Sequence, residues 1–146
     1  MAVDVKAEIL IKRPREVVAS VMFNPKYDRI WILGISKSFP LDLGILRKGM
    51  RVEHVGEFMK RRFSTILTVT NDVPDKMVEL NTDEPFPMRV RYELKDEPEG
   101  TLTSVRVQSV GEIPFKTTAS ILSKAVREKI ESELRRLKRH CEEFVD

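Results

Sequence analysis

The 146-residue sequence predicts an α+β fold: a curved antiparallel sheet of about seven strands, two short helices after the first strand, and a long C-terminal helix packed across the sheet. Three observations predict it. Val3 to Ile11 alternates apolar and polar side chains and is followed at once by two proline-based helix starts. From Ile32 to about Glu112 the helical period is absent, and period-two runs separated by turn residues replace it. Thr117 to Phe144 then runs through about seven turns' worth of strong helix formers without Pro or Gly.

In the first strand Val3, Val5, Ala7, Ile9 and Ile11 share one face and Asp4, Lys6 and Glu8 the other, so it is half-buried. Pro14 suits a first helical position, where no amide hydrogen is needed, and Val17, Val18, Val21 and Met22 continue at helical spacing to Phe23. Asn24-Pro25 repeats the signal and opens a shorter helix across Lys26 to Arg29, ending near Trp31. Ile35, Lys37 and Phe39 suggest a strand stopped by Pro40, and Leu41 to Gly49 is a loop punctuated by Gly44 and Gly49. Met50, Val52, His54, Gly56 and Phe58 share the next strand face. A basic turn near Met59 to Arg61 leads into Phe63, Thr65, Leu67 and Val69, and the two runs pair as a hairpin.

Asn71 to Asp75 reads as a turn, Met77 to Thr82 as a strand and Asp83 to Pro87 as another turn. Met88, Val90, Tyr92 and Leu94 then alternate with Arg89, Arg91, Glu93 and Lys95, the clearest period-two signal in the chain. After a turn at Asp96 to Gly100, Thr101, Thr103, Val105 and Val107 carry a last strand to about Glu112, and Pro114 separates sheet from helix. On the final helix Leu122, Val126, Ile130, Leu134, Leu137, Cys141 and Phe144 form one stripe. Glu128, Glu131, Arg135, Lys138, Arg139 and Glu142 lie opposite, with Glu131 spaced to pair with Arg135. A one-sided helix of this length must lie against a wide apolar surface, and a meander polar on one face has such a surface to cover. With no internal repeat or interdomain linker, residues 1–146 read as one domain.

Composition narrows the function classes. Net charge is +3 from 26 basic and 23 acidic residues, a small excess on a heavily charged surface that gives little support to nucleic-acid binding. Lys60-Arg61-Arg62 and Arg135-Arg136 are the dense basic spots, and both read as solvated surface. The single cysteine, Cys141, falls on the apolar stripe and behaves as a small hydrophobe, consistent with a reducing, cytoplasmic setting. Charges interrupt the N-terminal apolar residues, so no signal-peptide core is expected there, and no apolar run approaches the roughly 18 residues of a membrane span. His54 and His140 belong to distant elements, the glycines are scattered, and no Gly-x-Ser-x-Gly occurs. Metal, nucleotide cofactor and nucleophilic catalysis are therefore not expected.

Taken in order, Arg13-Pro14-Arg15-Glu16-Val17, Asn24-Pro25-Lys26-Tyr27 leading to Trp31, Lys48-Gly49-Met50-Arg51-Val52, the Val69 to Asp75 turn, Gly100-Thr101 and Arg135-Arg136-Leu137-Lys138 resemble the START-like superfamily. These are the helix-grip or SRPBCC proteins, and the likeness is to their polyketide cyclase/dehydrase and lipid-transport branch. It covers nearly the whole chain and rests on the ordered set of segments. The resemblance implies an apolar cavity between curved sheet and C-terminal helix that takes lipids, sterols, polyketides or similar molecules, and a tryptophan at the position of Trp31 near its wall, with core packing as the other job open to Trp31. The residues reach the same place independently: a strongly bent sheet and one straight helix cannot meet along their full length, so a gap is expected.

Alternation places His54 with Val52 and Phe58 on the apolar face of its strand, where a histidine can shuttle a proton or bind a ligand's polar end, or else is a hydrogen-bonded core histidine or is exposed by a register slip. Tyr92 shares a face with Val90 and Leu94, so its hydroxyl needs a partner. Glu133 lies beside Val126 and Leu137, where a carboxylate serves as an acid, pairs with a basic strand residue, or snorkels from the edge of the stripe. Ligand-contacting candidates are Trp31, His54, Phe58, Tyr92, Leu122, Val126 and Glu133, and the catalytic candidates are His54 and Glu133. Three readings stay open: a carrier or sensor of a hydrophobic small molecule; a cyclase, dehydratase or isomerase using His54 or Glu133; and an interaction module docking a protein partner or a second copy of the chain.

Overall fold

The computed structural model describes residues 2–113 and 117–146, so the break expected at Pro114 lies outside the described residues. Among the described residues seven strands form one antiparallel sheet: β1 (Asp4–Ile11), β2 (Ile35–Pro40), β3 (Arg51–Phe58), β4 (Arg61–Val73), β5 (Met77–Thr82), β6 (Met88–Glu97) and β7 (Gly100–Ser109). Between β1 and β2 lie α1 (Arg15–Met22), a 3-10 turn (Pro25–Tyr27) and α2 (Asp28–Trp31); α3 (Ala119–Glu143) ends the fold. The sheet order is β1-β7-β6-β5-β4-β3-β2. Strands β2 to β7 thus meander, and β1 closes the far side by pairing with β7 from Asp4↔Gln108 to Ile11↔Thr101. No helix among the described residues is long and apolar enough to cross a membrane.

Local chemistry explains these elements. Asn24 caps the 3-10 turn by accepting from the Lys26 amide at 3.1 Å. Met59 and Lys60 both take positive φ, 51° and 66°, the backbone of a two-residue hairpin whose twist matches that of β3 and β4. Strand β4 continues to Val73, past the turn expected from Asn71. An irregularity between Val69 and Asn71 inserts one residue, and Asn71, Asp72 and Val73 stay paired with Glu79, Val78 and Met77. A similar shift between Ile35 and Lys37 breaks the face expected for β2, leaving Phe39 about half exposed. Strand β7 ends at Ser109, before the expected Glu112.

Thr118 caps α3 by accepting from the Ile121 amide at 3.1 Å. Leu122, Val126, Ile130, Leu134, Leu137 and Cys141 are buried as the stripe requires. Phe144 is not. It is the C-cap residue and leaves the helical path, so its ring is 65 % exposed. The expected Glu131–Arg135 pair is absent from the ion pairs of the described residues; Arg135 donates to Ser132 Oγ at 2.9 Å instead. The C-terminal half of α3 is tied to the end of β1, with Lys138 Nζ donating to the Leu10 carbonyl at 2.8 Å and the Lys12 amide donating to Glu142 at 2.8 Å. At Glu142 burial opposes the charge, but the Lys12 amide and Lys138 outweigh it and hold the carboxyl below its usual range. The stretch Val126 to Glu133 lies across the sheet farther from this anchor, and there the packing opens.

Candidate functional site

Alternation on β3 turns Val52, His54 and Phe58 inward, while β4 beside it and β6 and β7 farther across the sheet present Leu67, Tyr92, Val105 and Val107. Opposite them α3 presents Val126, Ile130 and Glu133. Between the two surfaces is a partly open cavity of about 100 Å³, lined also by Ile32 and Leu33 after α2 and by Pro85 and Phe86 between β5 and β6. The rim segment after α2 depends on Gly56. A Cβ there would lie 2.2 Å from the Gly34 carbonyl oxygen, so only glycine lets the chain cross β3 so closely.

Five of the seven expected contact residues, His54, Phe58, Tyr92, Val126 and Glu133, line this cavity. Trp31 and Leu122 do not, which corrects their place among the contact residues and leaves Trp31 with core packing. Trp31 is buried one layer behind, its ring edge-on to Tyr92 with centroids 5.4 Å apart, and its Nε1 has no hydrogen-bond partner. Leu122 sits one turn nearer the start of α3 and walls a separate recess with Ile113 and Thr118. A larger groove of about 890 Å³ runs along β2 to β4 and shares the wall residues Ile35 and Phe63 with the inner cavity.

Apart from the half-buried Glu84 carboxylate, the polar side chains of the cavity have defined partners with two exceptions. His54 is 6 % exposed, and its Nε2 lies 2.8 Å from Asp28 Oδ2. A carboxylate only accepts, so Nε2 carries the hydrogen. Ser38 Oγ donates to the same oxygen at 3.1 Å. Asp28 escaped the sequence reading: an aspartate in the first turn of a helix is ordinary on a surface, and only the folding of α2 beneath β2 and β3 buries it. Glu133 does not snorkel, and among the described residues no strand residue pairs with it. It is 4 % exposed, accepts from the Leu33 amide at 3.0 Å, and is paired with Lys129 one turn earlier, so α3 clasps the rim segment.

The exceptions are His54 Nδ1 and the Tyr92 hydroxyl, to which no hydrogen bond is made among the described residues; neither atom is itself fully buried, so each borders open space. Burial, followed by the nearby carboxylates of Asp28 and Glu133, pushes the Tyr92 phenol well above its ordinary range, so it stays protonated and remains a donor. Among the described residues no group of His, Cys, Asp and Glu side chains is arranged to hold a metal ion. Cys141 is fully buried, and that burial pushes its thiol up to about 11.

No known family model and no curated protein matches the sequence. Solved structures do. A START superfamily protein from Mycobacterium smegmatis superposes with a TM-score of 0.78 at 15 % identity, covering 97 % of this chain and 99 % of that one. The chain has the START-like, helix-grip fold. The ZhuI aromatase/cyclase from Streptomyces sp. R1128 gives 0.73 at 14 % identity over 97 % and 94 % of the two chains. The di-domain aromatase/cyclase StfQ of steffimycin biosynthesis gives 0.78 at 11 % identity, with 98 % of this chain covering 51 % of that one. At such identities the START-like architecture is what transfers, including the sheet wrapped on the last helix. The polar set of Asp28, His54, Tyr92 and Glu133 has to be read from this chain's own geometry.

Proposed function

We propose that this START-like chain binds a hydrophobic small molecule between sheet and α3, as a carrier or sensor in a soluble, cytoplasmic setting. The observation that carries the reading is the cavity between Val126 and Ile130 on one side and Phe58, Leu67 and Val107 on the other. Its walls are mostly apolar, with a few polar groups among them, the composition typical of small-molecule sites. Apolar burial supplies the affinity: a guest removing about 200 Å² of its surface from water gains roughly 5 kcal/mol before association costs. Entry past Ile35 and Phe63, which also wall the outer groove, is the short route.

Native mass spectrometry of the chain purified from its own host, with thermal-shift screening of apolar compounds from benzene-sized to sterol-sized, tests this. The reading expects a retained apolar mass or a stabilised transition. A guest-free chain whose melting temperature responds to no compound would overturn it.

A second reading is favoured by one observation, the 2.8 Å contact of His54 Nε2 with Asp28 on the cavity wall. A buried carboxylate that fixes an imidazole leaves the other ring nitrogen to take a proton from a bound substrate, as cyclisation or dehydration requires. Asp28→Asn would then abolish turnover of a bound keto substrate while leaving its affinity within about threefold; equal turnover in the variant would remove this reading.

A further inference from the structure

We propose that the guest is a compact, uncharged molecule of about one ring, carrying an oxygen that accepts a hydrogen bond from the Tyr92 hydroxyl; this rests on the small-molecule reading above and deepens it. Three observations carry it. The first is size. A cavity of about 100 Å³ lies below the 300–1,000 Å³ of drug-sized sites and nearer the roughly 150 Å³ that accommodates benzene in an engineered core. A sterol would require Phe58, Phe86 and Met88 to leave their places, whereas a single ring would not.

The second is the unmatched donor. Tyr92 is 7 % exposed, its ring is fixed edge-on by Trp31 and stacked at 6.4 Å on Phe23, and it forms part of the cavity wall. A hydroxyl on a residue this buried is usually hydrogen-bonded, yet no protein group among the described residues bonds to this one, and its oxygen borders open space. A ligand oxygen would satisfy it.

The third is charge. The cation on the wall, Lys129, is already matched by Glu133, and Asp28 is matched by His54 and Ser38. An anionic guest would find no free counter-charge and would face the wall carboxylates of Glu133 and Glu84; a cationic one would have to displace Lys129 or rely on Glu84, which is half-buried and already reached by water. A neutral carbonyl or ether oxygen fits this surround.

The test is a titration of the full chain, followed by amide and methyl NMR, with cyclohexanone, methylenecyclohexane and cyclohexanecarboxylate. The first two share shape, the alkene lacking the acceptor; the third adds a charge. In Tyr92→Phe, which keeps the ring and removes a hydroxyl without a protein partner, cyclohexanone should bind roughly three- to tenfold more weakly. The alkene should hold its affinity, which corrects for any change in the cavity itself. Cyclohexanecarboxylate should bind at least about tenfold more weakly than the ketone in the wild type.

Equal changes for ketone and alkene would overturn the Tyr92 assignment while leaving the cavity reading intact. Carboxylate binding as tight as the ketone would overturn the neutral-guest inference. Failure of the ketone and the alkene to bind the wild type, with larger compounds binding in the thermal screen, would overturn the size argument alone. Failure of every compound in both experiments would overturn the small-molecule reading itself.

Discussion

Glu133 ties the cavity to the stability of the fold, and its removal has a calculable cost. In Glu133→Ala the Leu33 amide loses a charged acceptor 3.0 Å away, a loss of about 1.5–3 kcal/mol. Lys129, whose side chain is 29 % exposed, loses a pairing discounted to about 0.5–1 kcal/mol because water reaches it. Together with the lost packing of the glutamate stem, the total is roughly 3–4 kcal/mol. Glu133→Gln keeps an acceptor for Leu33 and gives up the charge, so about half of that loss is expected. The double variant Lys129→Met/Glu133→Gln removes both charges and should recover part of the single-variant loss. Urea unfolding followed by circular dichroism measures all three, with the m-value checked for constancy. A Glu133→Ala loss below about 1 kcal/mol would refute the clasp and return Glu133 to the solvent edge.

Other consequences are simpler to state. Leu137→Ala empties a fully buried site on the α3 stripe and should cost about 2–5 kcal/mol by the same unfolding assay, where a loss under about 1 kcal/mol would place the helix elsewhere. Gly56→Ala sets a Cβ 2.2 Å from the Gly34 carbonyl oxygen and should destabilise by at least about 2 kcal/mol; a neutral result would mean that the rim segment does not cross β3. Cys141 should resist a disulfide reagent at pH 8 until the chain unfolds, and labelling at the rate of a free thiol would contradict its burial. Its thiol is raised from 9.0 to about 11 in the folded chain, so the unfolded state gives up its proton first. Stability should fall as pH rises from about 9 to about 11, by roughly 2–3 kcal/mol from this group. Cys141→Ala should flatten that part of the curve.

Periodic patterns with continuous partners were legible in the sequence, and contacts between distant segments were not. The α3 stripe is readable because six of its residues face the sheet and are all shielded from solvent, so the pattern of burial is the pattern of the helix. It fails at Phe144, where the backbone leaves the helix and periodicity ceases to apply. His54 was placed inward by alternation alone. Its partner Asp28 was not found, because nothing local distinguishes an aspartate buried beneath β2 from one at an ordinary helix start. The irregularity after Val69 was hidden because Asn71 and Asp72 carry turn chemistry, while the pairing that retains them in β4 comes from β5. Gly56 reads as one more inward position, and the reason for its missing side chain is a backbone crossing from more than twenty residues earlier. Trp31 owed its expected place on the cavity wall to resemblance rather than to spacing, and the ring lies behind Tyr92.

The central claim is that the grip of sheet on helix leaves accessible apolar space beside Val126 and Ile130. Xenon enters such space without needing any polar partner, and its anomalous scattering locates it. A crystal of the chain pressurised with xenon should give its strongest anomalous peak between α3 and the inner faces of β3, β4 and β7. A derivative with xenon bound elsewhere and none at that position would contradict the account.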